Sequence, residues 1–172
     1  DVDSVYKVPL VYAKDGLPEV ICRHFNLPIR EIELSDWNLF IQNIQNPEDT
    51  IRIAVCGKYV KHQDAYKSVE EALIHAAAYH KLKLDLKWID SEKTFQPSEL
   101  EKELDGVSGI LIPGGFGVRG IEGKIAIAQY ARENNIPYFG ICLGMQVSVI
   151  EIARHLCNLP DANSTEFDEI TP

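Results

Sequence analysis

The feature that most constrains the fold is a cysteine between two glycines, in residues 140–146, which read Gly-Ile-Cys-Leu-Gly-Met-Gln. An apolar run precedes it at residues 136–139, and apolar residues at helical spacing follow it at residues 147–156. Gly-x-Cys-x-Gly between a strand and a helix is typical of a nucleophile elbow, a tight turn that lifts one side chain above the sheet. The positive end of the following helix would favour the thiolate form of Cys142. A free cysteine is more often a buried apolar side chain, but the two glycines favour a reactive one.

After residue 50, strand and helix patterns alternate along the chain. Apolar or β-branched runs predict strands, and apolar residues at helical spacing predict helices. The predicted strands are 50–57, 84–89, 107–112 and 137–141, and the predicted helices are 66–81, 97–104, 121–134 and 147–157. This order predicts an α/β fold with a doubly wound parallel sheet, in which ligands bind beyond the carboxyl ends of the strands.

The first 50 residues have weaker periodicity, with short helical patterns at residues 16–25 and 35–44. A turn-like Asn-Pro-Glu-Asp at residues 46–49 predicts a boundary near residue 50. Because the chain begins without Met and stops just after a loop-like segment, we expect it to be a piece of a longer polypeptide.

Composition excludes several classes of function. The formal net charge of −9 over 172 residues argues against a general nucleic-acid or membrane-surface binder. No apolar run is long enough to span a bilayer. The four cysteines show no C-x-x-C spacing and do not cluster with the five histidines. We therefore expect free thiols, a cytoplasmic location and no metal site.

A second glycine motif follows the third predicted strand. Residues 113–120 read Pro-Gly-Gly-Phe-Gly-Val-Arg-Gly, and such a run can expose backbone N–H groups as an anion or oxyanion site. Together with the amide of Leu143, these groups could stabilise a tetrahedral intermediate. The alternative is a flexible turn between a strand and a helix. The motif is neither a Rossmann fingerprint nor a P-loop.

A general base for Cys142 is harder to find. His155 lies about three and a half helical turns beyond Cys142, too far along the axis to touch it. His75 and His80 fall on a predicted amphipathic helix, and His62 falls in a loop after the first strand. None of them is a convincing base, so we expect any catalytic triad to be completed beyond Pro172.

The motifs resemble a known family. Residues 140–146 resemble the glutaminase elbow of triad-type glutamine amidotransferases. Residues 57–59, 64–73, 113–120 and 161–167 resemble segments of the CTP synthase family, and residues 1–9 resemble the end of its N-terminal amidoligase domain. The resemblance implies a flavodoxin-like amidotransferase fold that is incomplete at the C-terminus. It assigns residues 1–50 to the end of the amidoligase domain plus a linker, and residues 51–172 to a partial glutaminase domain.

The resemblance also implies an activity. Members of the family hydrolyse L-glutamine through a cysteine thioester and pass the ammonia to UTP, which is activated by ATP with Mg²⁺, so that CTP forms. GTP is an allosteric activator, CTP is a feedback ligand, and the complete enzyme is a homotetramer.

The family's functional residues map onto the matching motifs. Cys142 is the nucleophile, and the amides of Gly115 and Leu143 stabilise the oxyanion. The remaining glutamine-binding positions are Gly144, Met145, Gln146 and Glu166, where the Glu166 carboxylate meets the substrate ammonium. The GTP positions are Phe116 and Arg119, and the ATP positions are Val2, Asp3 and Ser4.

Two departures from the family stand out. The His-Pro-Glu that supplies its base and orienting acid is absent from the sequence, and the arginine that clamps the glutamine carboxylate cannot be located. The 172-residue chain alone is therefore expected to have negligible glutaminase activity. Two alternatives remain open: an amidotransferase that serves another acceptor, and a non-catalytic regulatory or assembly module on the same scaffold.

Overall fold

The structure is a computed structural model that describes residues 2–58, 63–93 and 95–171. The chain forms two compact units. One contains the residues up to Asp49 together with Ala76–Lys83, and the other contains Thr50–His75 and the residues from Leu84 onward. The functional assignment of residues 1–50 and 51–172 stays a prediction.

The first unit is built mainly from short helices. Their bounds are Val8–Lys14 (α1), Leu17–His24 (α2) and Ser35–Gln45 (α3), and a single 3-10 turn, Val5–Lys7, precedes α1. The Trp37 indole Nε1 donates a hydrogen bond to the Tyr6 carbonyl at 2.8 Å, and the Tyr6 ring meets Phe40 edge to face at 5.0 Å. The sequence predicted α2 and α3 but missed α1, whose seven residues are too few to show a helical period.

The second unit contains a sheet whose described strands have the order β2-β1-β3-β4. The strands are Asp49–Gly57 (β1), Leu82–Asp90 (β2), Gly109–Ile112 (β3) and Tyr138–Gly140 (β4). The helices that follow them are Lys67–Tyr79 (α4), Pro97–Leu104 (α5), Ile121–Glu133 (α6) and Leu143–His155 (α7). In register, Val55 pairs with Leu111, and Leu111 pairs with Phe139, both in parallel. The predicted α/β fold with a parallel sheet and flanking helices is confirmed.

The strand order places a topological switch between β1 and β3, because the chain leaves β1 for β2 on one side and returns to β3 on the other. Loops that leave the carboxyl ends of strands at such a switch diverge and open a crevice. Both glycine motifs lie at this edge, after β3 and after β4.

The core packs α5, α6 and α7 against the sheet. Its fully buried members include Ala54, Ile112, Ile127 and Val147. The helix after the elbow begins four residues earlier than the periodicity predicts, at Leu143 rather than at residue 147, because the turn ends at Cys142. Among the helices of the described ranges, we find none that combines the length and the apolar character needed to cross a membrane.

Candidate active site

Cys142 lies at the sharp turn between β4 and α7, and its side chain is exposed. Its backbone has φ +51° and ψ −105°, a combination that residues other than glycine rarely adopt and that is associated with functional turns. The turn is closed by hydrogen bonds: the Ile141 amide donates to the Ile112 carbonyl at 3.0 Å, and the Met145 and Gln146 amides donate to the Cys142 carbonyl. This is the geometry of a nucleophile elbow.

The elbow glycines are needed because the backbones approach too closely for a side chain. A Cβ on Gly140 would stand 2.4 Å from the carbonyl carbon of Gly144. A Cβ on Gly144 would stand 2.1 Å from the Ile112 carbonyl oxygen on β3. The Tyr138 hydroxyl donates a hydrogen bond to the Gly144 carbonyl at 2.6 Å. The elbow is therefore held tightly between β3 and β4.

Residues 113–120, which we call the glycine loop, pass beside the elbow. The position of a Cβ on Gly114 lies 3.6 Å from the Cys142 Cβ, and that of a Cβ on Gly115 lies 3.4 Å from the Leu143 Cδ2. The Leu143 amide is the first of α7, and it makes no hydrogen bond within the described residues. The structure thus brings Cys142, Gly115 and Leu143 together, while their catalytic roles stay predictions.

Glu166 also reaches the glycine loop, although it lies 49 residues further along the chain. Its Oε1 accepts a hydrogen bond from the Gly117 amide at 3.3 Å. On α7, Met145 is half exposed. The Gln146 Oε1 is buried and has no hydrogen-bond partner among the described residues. Glu166 therefore borders the glycine loop, and the first turn of α7 follows directly from the elbow.

The residues predicted to bind GTP lie in the glycine loop itself. The Phe116 ring is 79% exposed, and its carbonyl accepts a hydrogen bond from the Lys58 ammonium. Arg119 Nε forms an ion pair with Glu92 at 3.1 Å. The Phe116 ring is thus open to a ligand, whereas Arg119 already has a partner.

The residues predicted to bind ATP lie in the first unit. Asp3 pairs with Lys7 at 2.9 Å, and this hydrogen bond lowers the pKa of the Asp3 carboxyl. The Ser4 hydroxyl accepts a hydrogen bond from the Tyr6 amide at 3.3 Å, and Val2 is exposed. Both contacts join residues within the first seven positions of the chain.

None of the described histidines contacts Cys142. His155 Nδ1 lies 3.2 Å from Glu151 Oε1, near the far end of α7, about 20 Å along the axis from the elbow. His75 and His80 are exposed on or just after α4, and His62 lies outside the described residues. Within those residues, no group of three or more His, Cys, Asp or Glu side chains could hold a metal ion.

Sequence reasoning missed two residues beside the site, the buried Lys124 and the partly buried Tyr138. Lys124 is 2% exposed on α6, and its burial lowers the pKa of the ammonium. Burial likewise raises the pKa of the Tyr138 hydroxyl. A signal for Lys124 existed: it stands between Ile121 and Ala128 on the apolar face of α6, where a lysine is unexpected.

Comparison with known proteins identifies the class. The model of the family "Glutamine amidotransferase class-I" matches residues 61–168, and the chain belongs to this family. Within this family, two similar curated proteins are CTP synthases. A CTP synthase from Acidobacterium capsulatum is 49% identical over 172 residues, which are 100% of this chain and 31% of the relative. A CTP synthase from Blochmanniella floridana is 52% identical over 167 residues, which are 97% of this chain and 30% of the relative.

A solved structure agrees with these relatives. The glutaminase domain of a Trypanosoma brucei CTPS with bound acivicin has a TM-score of 0.66 and 48% sequence identity, over 71% of this chain and 47% of that chain. The resemblance predicted from the motifs is confirmed. The chain spans about a third of the length of the curated relatives it matches.

Proposed function

We propose that this chain is the glutamine-cleaving part of a CTP synthase, in which Cys142 releases ammonia from L-glutamine for the ATP-dependent amination of UTP to CTP. The single observation that carries the proposal is the elbow: an exposed cysteine at positive φ, at the N-terminus of α7 and beside the glycine loop. The high identity to CTP synthases over the whole chain supports the choice of acceptor.

The chemistry follows from the elbow. The Cys142 Sγ bonds to the amide carbon of glutamine, and the carbonyl oxygen becomes an oxyanion that the amides of Gly115 and Leu143 stabilise. Collapse of this intermediate breaks the C–N bond, and the nitrogen takes a proton and leaves as ammonia. Water then hydrolyses the thioester, which releases glutamate and restores the thiol. The proton carrier is proposed to be a histidine outside these 172 residues.

The amino-acid end of glutamine is proposed to bind between the first turn of α7 and Glu166. A carboxylate suits an ammonium group in a partly dry pocket, and the hydrogen bond from Gly117 to Glu166 supports this position because it keeps the carboxylate near the glycine loop. Gly144, Met145 and Gln146 are proposed to form the α7 side of this pocket, and the buried Gln146 Oε1, which has no hydrogen-bond partner among the described residues, is an acceptor available to a donor.

The other ligands belong to the complete polypeptide. ATP with Mg²⁺, UTP and the feedback ligand CTP are proposed to bind its amidoligase domain, to which Val2, Asp3 and Ser4 would contribute. GTP is proposed to bind at Phe116, whose exposed ring can stack on the guanine base. It is also proposed to bind at Arg119, which would leave its ion pair with Glu92 and pair with a phosphate of GTP. The complete polypeptide is proposed to form a homotetramer in the cytoplasm.

Labelling tests the nucleophile. Acivicin, the compound bound in the trypanosomal structure, should modify Cys142 far faster than Cys22, Cys56 or Cys157 in the complete polypeptide, as read by peptide mass mapping. The exposed Cys157 and the buried Cys56 are internal controls for accessibility. Equal labelling of all four cysteines would refute the assignment.

Isotope transfer tests the acceptor. Glutamine labelled with ¹⁵N in its side-chain amide should yield CTP that carries ¹⁵N on the exocyclic amine of its base. Label in a different product would instead favour an amidotransferase for another acceptor. Absence of both labelling and ammonia release would favour a non-catalytic module.

A further inference from the structure

A lysine lies in the core beside the glycine loop. Lys124 is 2% exposed, and its Nζ lies 4.0 Å from the point where a Cβ on Gly115 would stand. The same point lies 3.4 Å from the Leu143 Cδ2. The ammonium therefore lies on the side of Gly115 from which a side chain would project, next to Leu143, the first residue of α7. The neighbouring Gly114 lies close to Cys142.

No counter-charge is described for this ammonium. Among the described residues, Lys124 forms no ion pair with a carboxylate. Burial lowers the pKa of this ammonium, the nearby Lys58 ammonium lowers it further, and the Cys56 thiol at the end of β1 raises it. Burial raises the pKa of the Cys56 thiol, so that it stays neutral.

A buried cation without a partner destabilises the resting fold, and such a charge is expected where negative charge forms during function. We propose that Lys124 is a positioning residue of the Cys142 site, whose buried ammonium acts across the glycine loop to favour the Cys142 thiolate and then the oxyanion. The proposal rests on the proposed role of Cys142 as the nucleophile. Because Lys124 is buried, its charge is screened less by the solvent than a surface charge would be, and the attraction adds to the dipole of α7.

The test replaces Lys124 by methionine, which has a similar length and no charge, in the complete polypeptide. The rate of alkylation of Cys142 by iodoacetamide, in which the thiolate displaces iodide, is followed between pH 5 and 10. Loss of the cation should raise the midpoint of thiolate formation by about one pH unit. Below the midpoint the rate should therefore fall about tenfold, while the high-pH plateau should not change.

Matched variants separate charge from shape. Lys124→Gln should shift the midpoint in the same direction as Lys124→Met, whereas Lys102→Met, at an exposed lysine on α5, should not shift it. Lys124→Met should also resist urea at least as well as the unaltered protein, because an apolar side chain replaces an unpaired buried charge. If Lys124 had only a structural role, Lys124→Met would instead lower both the urea midpoint and the high-pH plateau of the alkylation rate.

Two outcomes distinguish the proposals. A folded Lys124→Met protein whose Cys142 midpoint is unchanged overturns the role of Lys124 and leaves the nucleophile assignment intact. If Cys142 of the unaltered protein reacts no faster than the exposed Cys157 at neutral pH, the proposed function itself fails. Because iodoacetamide needs neither glutamine nor nucleotides, the first outcome does not depend on activity.

Discussion

The elbow and the glycine loop are both glycine-rich turns at the carboxyl edge of one sheet, yet they use glycine differently. In the elbow, Gly140 and Gly144 leave no room for a side chain, and the unusual backbone angle falls on Cys142. In the loop, Gly117 has φ +77° with no atom within 4 Å of a Cβ position, and Gly115 has ordinary contacts.

The difference separates two tasks. Close packing against Ile112 and Tyr138 fixes the elbow, so Cys142 has one position. The glycine loop is held instead by polar contacts with the side chains of Lys58, Glu92 and Glu166, so we expect its amides to adjust more easily when an anion forms. If Cys142 is the nucleophile and the glycine loop binds the oxyanion, as proposed, a fixed cysteine beside an adjustable loop suits a reaction in which charge develops on the substrate.

The largest expected effect comes from removing the elbow's thiol. Cys142→Ser in the complete polypeptide should lower ammonia release from glutamine at least about 10³-fold, since the covalent route is lost. Amination driven by added ammonium salt should persist, because the loop and the acceptor site are untouched. Cys157→Ser, at another exposed cysteine, should leave both rates unchanged. Retained glutaminase activity in Cys142→Ser would contradict the mechanism.

Next in size is the contrast between the two kinds of glycine. Gly144→Ala should lower the free energy of unfolding by about 3 kcal/mol, because its Cβ would overlap the Ile112 carbonyl and the backbone must move. Gly117→Ala should cost only about 1 kcal/mol, since positive φ is its sole penalty. Urea denaturation of the two variants gives the comparison, and equal costs would show that the elbow relaxes more easily than its packing suggests.

A smaller effect is expected where Glu166 meets the loop. Glu166→Gln keeps an acceptor for the Gly117 amide but removes the charge offered to the substrate ammonium. KM for glutamine should rise about tenfold with little change in kcat. Asp168→Asn, which neutralises another exposed acid nearby, is the control. If kcat falls and KM does not change, Glu166 instead shapes the loop.

The smallest effect concerns the clamp on the elbow. Tyr138→Phe removes the hydrogen bond to Gly144 and should cost about 1 kcal/mol near neutral pH. Because the folded-state pKa of this hydroxyl is raised, its contribution is present below the unfolded pKa of about 10 and is lost as the pH rises further. The unaltered protein should therefore lose more stability above pH 10 than Tyr138→Phe does. Parallel pH profiles of urea midpoints would argue against this.

Local patterns in the sequence were sufficient to predict much of this molecule. The alternation of strands and helices, the elbow around Cys142 and the position of the glycine loop were all predicted because each depends on neighbouring residues. The bounds of α5 were predicted to the residue, since Pro97 marks its first turn. By contrast, α1 was missed.

Only the tertiary structure decided the contacts between segments that are distant along the chain. Burial of Lys124 beside Gly115, the reach of Glu166 to Gly117 and the clamp of Tyr138 on Gly144 depend on which faces the helices and strands present to one another. The sequence by itself determined where Cys142 lies and why it is predicted to be reactive, since a turn is a local structure. The charges around that cysteine were decided by folding, because electrostatic interactions depend on distance and burial rather than on order along the chain.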